Sequence, residues 1–240
     1  MKIDVLGVGF DSVTLAEAVE RGAAMARDGF HCVVTPNPEL VSLARQDDDY
    51  RTILNGADLT LPDGIGVVYA AKLLGRPVKE RVPGIDFAAG LMKRLSRDGG
   101  RLFLLGAKPG VAEKARESLT EQYPGLNVCG IHDGYFANDT AVAETIRAAE
   151  ADVVFVCLGA PKQEKWIAAN GRTTGAHLMV GLGGCLDVFA GTVKRAPASW
   201  QKLGLEWLYR LAQEPARVGR MAKLPLFLAA AVGARRKGEQ

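Results

Sequence analysis

The sequence predicts an α/β fold, a Rossmann-like parallel sheet with helices on both faces, followed by a short helical C-terminal appendage. Two observations point to the sheet. Short runs rich in Val, Ile and Leu alternate with helical patterns through most of the chain. These runs are continuously apolar over four to eight residues, as suits strands buried on both faces. A third observation points to the appendage: the alternation stops after Gly191. The predicted boundary divides residues 1–193 from residues 194–240.

The expected strands are Ile3–Val8, His31–Thr35, Ala57–Leu61, Leu102–Leu105, Leu126–Ile131, Asp152–Leu158 and His177–Gly181. Thr14-x-x-Glu17 is a capping box opening the first helix, and Gly29 follows its end. Asn37-Pro38 sets an N-cap before a proline at the first helical position. Gly64 begins a helix that Gly75 stops. Such β/α alternation implies parallel strands joined by helical crossovers. In the appendage, Trp200, Leu203, Trp207, Leu208 and Leu211 recur at three- and four-residue steps, which predicts one helix over Pro197–Gln213. Pro215, Gly219 and Pro225 then break or restart helical structure. Leu224–Ala234 is apolar, and Arg235-Arg236-Lys237 follows it.

Of the 240 residues, 48% are hydrophobic and 24% charged, which excludes a disordered, collagen-like or disulfide-framework chain. Cys32, Cys129, Cys157 and Cys185 form no CxxC pair and suit a reducing cytosol as small core residues. No signal peptide is expected, because Met1-Lys2-Ile3-Asp4-Val5 leads straight into a strand. No stretch reaches the ~20 apolar residues of a membrane span. The net charge of +3 is unevenly placed. From Lys194 onward ten Lys and Arg face three Glu, whereas residues 1–193 are mildly acidic. A basic tail on an acidic body points to an anionic partner: phosphate, a membrane surface or nucleic acid.

Ligands of open α/β sheets collect at the carboxyl ends of the strands, so polar residues there are the first candidates. Asp63 lies between a strand and a helix, where a carboxylate serves either as general base or as cap of the helix starting at Gly64. Thr35 and Asn37 end the neighbouring strand and can orient a substrate, Asn37 equally well as a plain cap. Gly106 and Gly110 flank a strand-to-helix turn that lets backbone N–H groups approach a phosphate. The spacing is neither GxGxxG nor Walker-like. No acidic residue ends the second strand, which disfavours a dinucleotide oxidoreductase. Gly134-Tyr135 can lay a phenol ring on a nucleobase, or Tyr135 is a half-buried aromatic. Asp187 can accept a base N–H or cap a helix, and Gln163 can reach a sugar or phosphate. His31, His132 and His177 lack ligand spacing, so no zinc site is expected. Arg210, Arg217 and Arg220 would share a stripe about 80° wide on an unbroken helix, and guanidinium forks suit diphosphate oxygens. Trp200, Trp207, Leu224–Leu228 and the terminal basic cluster resemble an interfacial membrane segment. No nucleic-acid motif is present, so no nucleic-acid partner is expected.

Several collinear motifs resemble the WecG/TagA/CpsF glycosyltransferases, glycosyltransferase family 26. They are Thr35-Pro36-Asn37-Pro38-Glu39, Leu61-Pro62-Asp63-Gly64-Ile65-Gly66-Val67, Glu80-Arg81-Val82-Pro83-Gly84-Ile85-Asp86 and Leu158-Gly159-Ala160-Pro161-Lys162-Gln163-Glu164. Gly181–Ala198, Leu205-Glu206-Trp207-Leu208-Tyr209-Arg210 and Gln213-Glu214-Pro215-Ala216-Arg217 extend the likeness through the appendage. The resemblance implies inverting transfer from a UDP-sugar to a polyprenyl-diphosphate-linked sugar at the cytoplasmic membrane face, with no cofactor and no essential metal. It implies Asp63 as base, supported by Thr35 and Asn37, with Arg81 stabilising diphosphate charge and Gln163 contacting the donor. Tyr135 and Asp187 match positions suited to uracil and ribose. The appendage, through Arg210, Arg217 and Arg220, would close over the site and bind the lipid diphosphate. Self-association in solution is implied as well.

The family's commonest activity moves N-acetylmannosamine onto N-acetylglucosaminyl-diphospho-undecaprenol for teichoic acid linkage. N-acetylmannosaminuronic acid and glucose are alternative donor sugars. A reading of a different class is a non-catalytic module binding nucleotide-sugars or lipid phosphates.

Overall fold

The computed structural model describes residues 2–213 and 223–238. Among the described residues, eight strands form two sheets. The main sheet is six-stranded and parallel throughout, in the order β4-β3-β8-β7-β5-β6. Its strands are β3 (His31–Val34), β4 (Leu59–Thr60), β5 (Arg101–Gly106), β6 (Asn127–His132), β7 (Val153–Cys157) and β8 (Leu178–Gly181). The central strands β7 and β8 are buried at every position, which is why they read as unbroken apolar runs. Helices α1 (Leu15–Met25), α2 (Pro38–Ala44), α3 (Asp48–Asn55), α4 (Ile65–Leu73) and α5 (Gly84–Asp98) come from the first half. Helices α6 (Val111–Gln122), α7 (Asp139–Ala148), α8 (Lys162–Asn170) and the short α9 (Cys185–Phe189) complete the layers.

The local signals at the helix starts hold. Thr14 and Glu17 form both halves of the capping box on α1. Asn37 Oδ1 accepts from the N–H groups of Glu39 and Leu40, with Pro38 opening α2. Gly64 is the N-cap of α4, and Gly75 follows its end with φ +75°.

The first strand is not what the apolar run Ile3–Val8 predicts. The chain folds instead into an antiparallel hairpin, β1 (Lys2–Val5) and β2 (Val8–Asp11), outside the main sheet. Leu6 and Gly7 both have positive φ, the geometry of a tight hairpin turn. The run therefore reverses at its centre instead of continuing. Asn55 of α3 clamps the turn, donating to the Gly7 carbonyl and accepting from the Gly9 N–H, both at 2.9 Å. Asp11 reaches back to the sheet edge, accepting from the Thr60 N–H at 2.9 Å. The hairpin's Ile3, Val5, Val8 and Phe10 share a core with Tyr50, Leu54, Val67 and Ala70.

The expected helix Pro197–Gln213 is also divided, into α10 (Ala198–Lys202) and α11 (Glu206–Gln213). Gly204 adopts φ +70° between them, a conformation that ends a right-handed helix. The last helix, α12, runs Lys223–Gly238. Pro225 sits in its first turn, where a missing N–H costs nothing. Phe227 and Ala231 are buried in the hairpin core, so α12 is docked against α2 and α4. Arg217 and Arg220 lie outside the described residues, as does the side chain of Arg210. No described helix is long and apolar enough to cross a membrane.

Candidate active site

The carboxyl ends of the parallel strands open into two pockets. The first, with a cavity volume of about 200 Å³, lies beyond β3, β4 and β8 and is bounded by the start of α5 and by the appendage. The second, about 650 Å³, lies beyond β5, β6 and β7. The turn from β8 into α9 stands between them: Leu182, Gly184 and Cys185 face the first pocket, and Asp187 faces the second.

Thr35, Asn37, Asp63 and Arg81 all line the first pocket. Asp63 does not cap α4, whose N-cap Gly64 makes no side-chain cap bond. Its Oδ1 accepts from the Gly84 N–H at 3.0 Å, at the first residue of α5. The positive end of that helix favours a carboxylate there. Gly84 is tightly placed, because a Cβ would stand 3.0 Å from Thr35 Cγ2. Gly64 and Gly66 have a packing reason too. A Cβ on either would come within 2.7 Å of the Pro38 ring, so both let α4 start against α2.

Arg81 is held from two sides. Its Nε donates to the Asp63 carbonyl at 2.7 Å, and its Nη2 pairs with Glu206 Oε2 at 2.9 Å. Glu206, on α11, is 6% exposed and also meets Arg195 Nε at 3.4 Å. Arg195 in turn forms a two-toothed pair with Asp86 of α5, at 2.6 and 2.8 Å. Burial alone would lower the Arg195 pKa, but Asp86 and Glu206 outweigh it and raise it. Sequence reasoning quoted Asp86, Arg195 and Glu206 only inside motifs. Asp86 lies more than a hundred positions from the other two, and no spacing rule joins it to them.

Thr35 and Gln163 converge on the dividing turn. Thr35 Oγ1 donates to the Gly181 carbonyl at 2.9 Å. Gln163 Oε1 accepts from the Gly183 N–H at 2.9 Å, and its Nε2 donates to Glu164 Oε1 at 2.7 Å. With 3% exposure and both amide atoms engaged, Gln163 braces the turn and does not project into a pocket. Asn37 likewise spends Oδ1 on capping α2, so its NH2 is the end available to a ligand.

Gly134, Tyr135 and Asp187 meet at the second pocket. Tyr135 is 70% exposed, not half-buried, so its ring is open to stacking. Its N–H donates to Asp133 Oδ1 at 2.7 Å, which fixes the turn carrying it. Gly106 does not line this pocket. It has φ +128°, and a Cβ would lie 2.3 Å from the Cys157 carbonyl oxygen, so glycine is required by the adjoining strand. The following Ala107 and Lys108 do line the pocket. Lys162, named from sequence only within its motif, adds a cation: Nζ donates to the Gly134 carbonyl at 3.1 Å and lies 4.8 Å from the Phe136 ring centre. Among the described residues, no group of three or more His, Cys, Asp or Glu is arranged to hold a metal ion.

Comparison with known proteins decides the family. The pattern of the "Glycosyl transferase WecG/TagA/CpsF family" matches residues 3–240. The chain belongs to the WecG/TagA/CpsF family. It is therefore a glycosyltransferase. Among its relatives, a protein of Staphylococcus aureus (strain MW2) is 36% identical over 98% of this chain and 94% of its own length. One of Bacillus spizizenii is 40% identical over 82% of this chain and 77% of its own. Both bear the name N-acetylglucosaminyldiphosphoundecaprenol N-acetyl-beta-D-mannosaminyltransferase. In this WecG/TagA/CpsF chain, residues of the quoted motifs from Thr35 to Trp207 thus line two adjoining pockets.

Proposed function

We propose that this glycosyltransferase moves N-acetylmannosamine from its UDP-sugar onto N-acetylglucosaminyl-diphospho-undecaprenol, with inversion, at the cytoplasmic face of the membrane. The observation that carries the reading is the pair of pockets sharing one wall, one holding Asp63 and the other Tyr135 and Asp187. The printed names of the two relatives supply donor sugar and acceptor.

The uracil stacks on Tyr135, Asp187 accepts from the nucleoside, and Lys108 and Lys162 face the diphosphate. The acceptor hydroxyl enters the first pocket, where Asp63 takes its proton. The acceptor oxygen forms a bond to the anomeric carbon from the face opposite the bond to phosphate, which breaks. UDP leaves with that electron pair, and one displacement inverts the configuration. Fixed cations and N–H groups near the leaving diphosphate lower the barrier by meeting charge as it develops. Arg81, beside Asp63, is the guanidinium nearest this step on the acceptor side. Exposed Leu203, Leu208, Leu226 and Trp200 of the appendage suit contact with the bilayer that carries the acceptor lipid.

The test is transfer from a panel of radiolabelled UDP-sugars to a short-chain N-acetylglucosaminyl-diphospho-lipid, with EDTA and separately with magnesium. Incorporation from UDP-N-acetylmannosamine alone supports the reading. Incorporation only from UDP-N-acetylmannosaminuronic acid or UDP-glucose replaces the donor, and binding without transfer replaces the enzyme by a binding module.

A further inference from the structure

Behind the wall between the pockets lies a buried polar chain that the proposed chemistry does not use. Tyr50 of α3 is fully buried, and its hydroxyl donates to Glu164 Oε2 at 3.2 Å. Glu164, 1% exposed on α8, accepts from Gln163 Nε2 on its other oxygen at 2.7 Å. Gln163 Oε1 accepts from the Gly183 N–H at 2.9 Å. The chain is pressed against the wall, since a Cβ on Gly181 would stand 3.1 Å from Gln163 Nε2 and 3.4 Å from Glu164 Oε1.

The chemistry of these groups fixes a direction. A carboxylate only accepts and a backbone N–H only donates, so the amide between them has one favourable orientation. Nε2 must face Glu164 and Oε1 must face Gly183. Tyr50 engages the second carboxylate oxygen and keeps the first turned toward Gln163. A carboxyl buried this deeply is costly, and burial raises the Glu164 pKa against the pull of Gln163 and Tyr50. An apolar side chain would fill the space at lower cost but could not orient the amide.

We propose that Glu164, acting through Gln163 and steadied by Tyr50, is a positioning residue that sets the Gly181–Gly184 turn and so the register between the two substrates. This rests on the two-pocket reading above. With the turn misplaced, each substrate still binds its own pocket, but the reacting atoms meet badly. The loss therefore falls on kcat, because misplacement by about 1 Å costs up to roughly 100-fold.

Three variants test it, in steady-state transfer and in hydrogen–deuterium exchange of the peptide spanning residues 182–185. Glu164→Leu removes the acceptor. It is expected to lower kcat about tenfold or more, with KM for both substrates within about threefold, and to speed exchange in that peptide. Glu164→Gln restores an acceptor for Gln163 and lets the Tyr50 hydroxyl accept instead, so kcat and exchange return to near wild type. Wild-type kcat and exchange in Glu164→Leu, or equal damage in Glu164→Gln, would overturn the proposal. Should Glu164→Leu fail to fold, Tyr50→Phe decides. Faster exchange in the same peptide with lower kcat supports the chain, and no change in either refutes it. The exchange measurement needs no turnover. If the wild type transfers no sugar, the functional reading fails while the bracing of the turn is still decided.

Discussion

The appendage is tied to the first pocket through one buried carboxylate, and Glu206→Gln measures that tie. Glu206 bridges Arg81 and Arg195, whose side chains are 20% and 24% exposed, so both ion pairs are partly shielded from solvent. The substitution keeps the shape and one acceptor oxygen, but turns the other into an NH2 facing a guanidinium N–H and removes the charge. Arg195 retains both bonds to Asp86, and Arg81 retains its bond to the Asp63 carbonyl. What is lost is one of the two accepted bonds and the charge assistance to the other. Hydrogen bonds to charged groups contribute about 1.5–3 kcal/mol and neutral ones about half that, so the net cost is on the order of 1–2 kcal/mol. For a chain of this length that corresponds to roughly 2–8 °C in melting temperature. Differential scanning calorimetry reads this shift, and limited trypsin digestion reads the looser appendage as faster cleavage after Arg210. A melting temperature within about 1 °C of wild type, with unchanged cleavage, would refute the idea that this network holds α11 over the pocket.

Asp63→Asn keeps the acceptor for the Gly84 N–H, so melting should move little while kcat/KM falls roughly 100-fold or more, as for loss of a general base. Retention of activity within about threefold would remove Asp63 from the chemistry. Tyr135→Ala, at an exposed position, should leave melting unchanged and raise donor KM roughly tenfold through lost base stacking, read by initial rates. Gly106→Ala should abolish soluble expression, since its Cβ would overlap the Cys157 carbonyl. Gly110→Ala, with nothing within 4 Å and only φ +83° to resist it, should cost about 1 kcal/mol in a denaturant titration. Burial pushes the Cys157 thiol up to about 12, so at pH 8 maleimide labelling should be roughly a thousandfold slower in the native protein than in urea. The same shift sets a sign for stability. Its contribution is complete below the unfolded pKa of about 8.5 and is lost as pH rises toward 12.

The sheet was legible because both-face burial leaves an unbroken apolar run, and β7 and β8 are buried at every position. The place of the candidate residues was legible for a topological reason, since the carboxyl ends of parallel strands are where Thr35, Asp63, Gly134 and Tyr135 had to emerge, and there they line the two pockets. The hairpin was not legible. Ile3–Val8 differs from a single strand only in the backbone angles of Leu6 and Gly7, and nothing in hydrophobic period reports those. The helix break at Gly204 was hidden because apolar residues keep helical spacing across it. Pairings such as Arg81 with Glu206, or Tyr50 with Glu164, span more than a hundred positions and leave no local trace.

Gln163 shows how a candidate ligand residue can be engaged by the protein itself. Its place at the start of α8, near strand ends, suggested a ligand contact, but Glu164 and the Gly183 N–H claim both ends of its amide. Thr35 bonds the same turn from the opposite pocket. The wall between the two pockets is therefore braced from both sides, by residues that sequence reasoning had assigned to substrate. A bonded brace on each side restricts the turn to one position relative to Asp63 and Asp187. Substitutions at Thr35 and Glu164 should then be non-additive in kcat, because each shifts the same element. Residues acting through separate substrates would instead give independent losses.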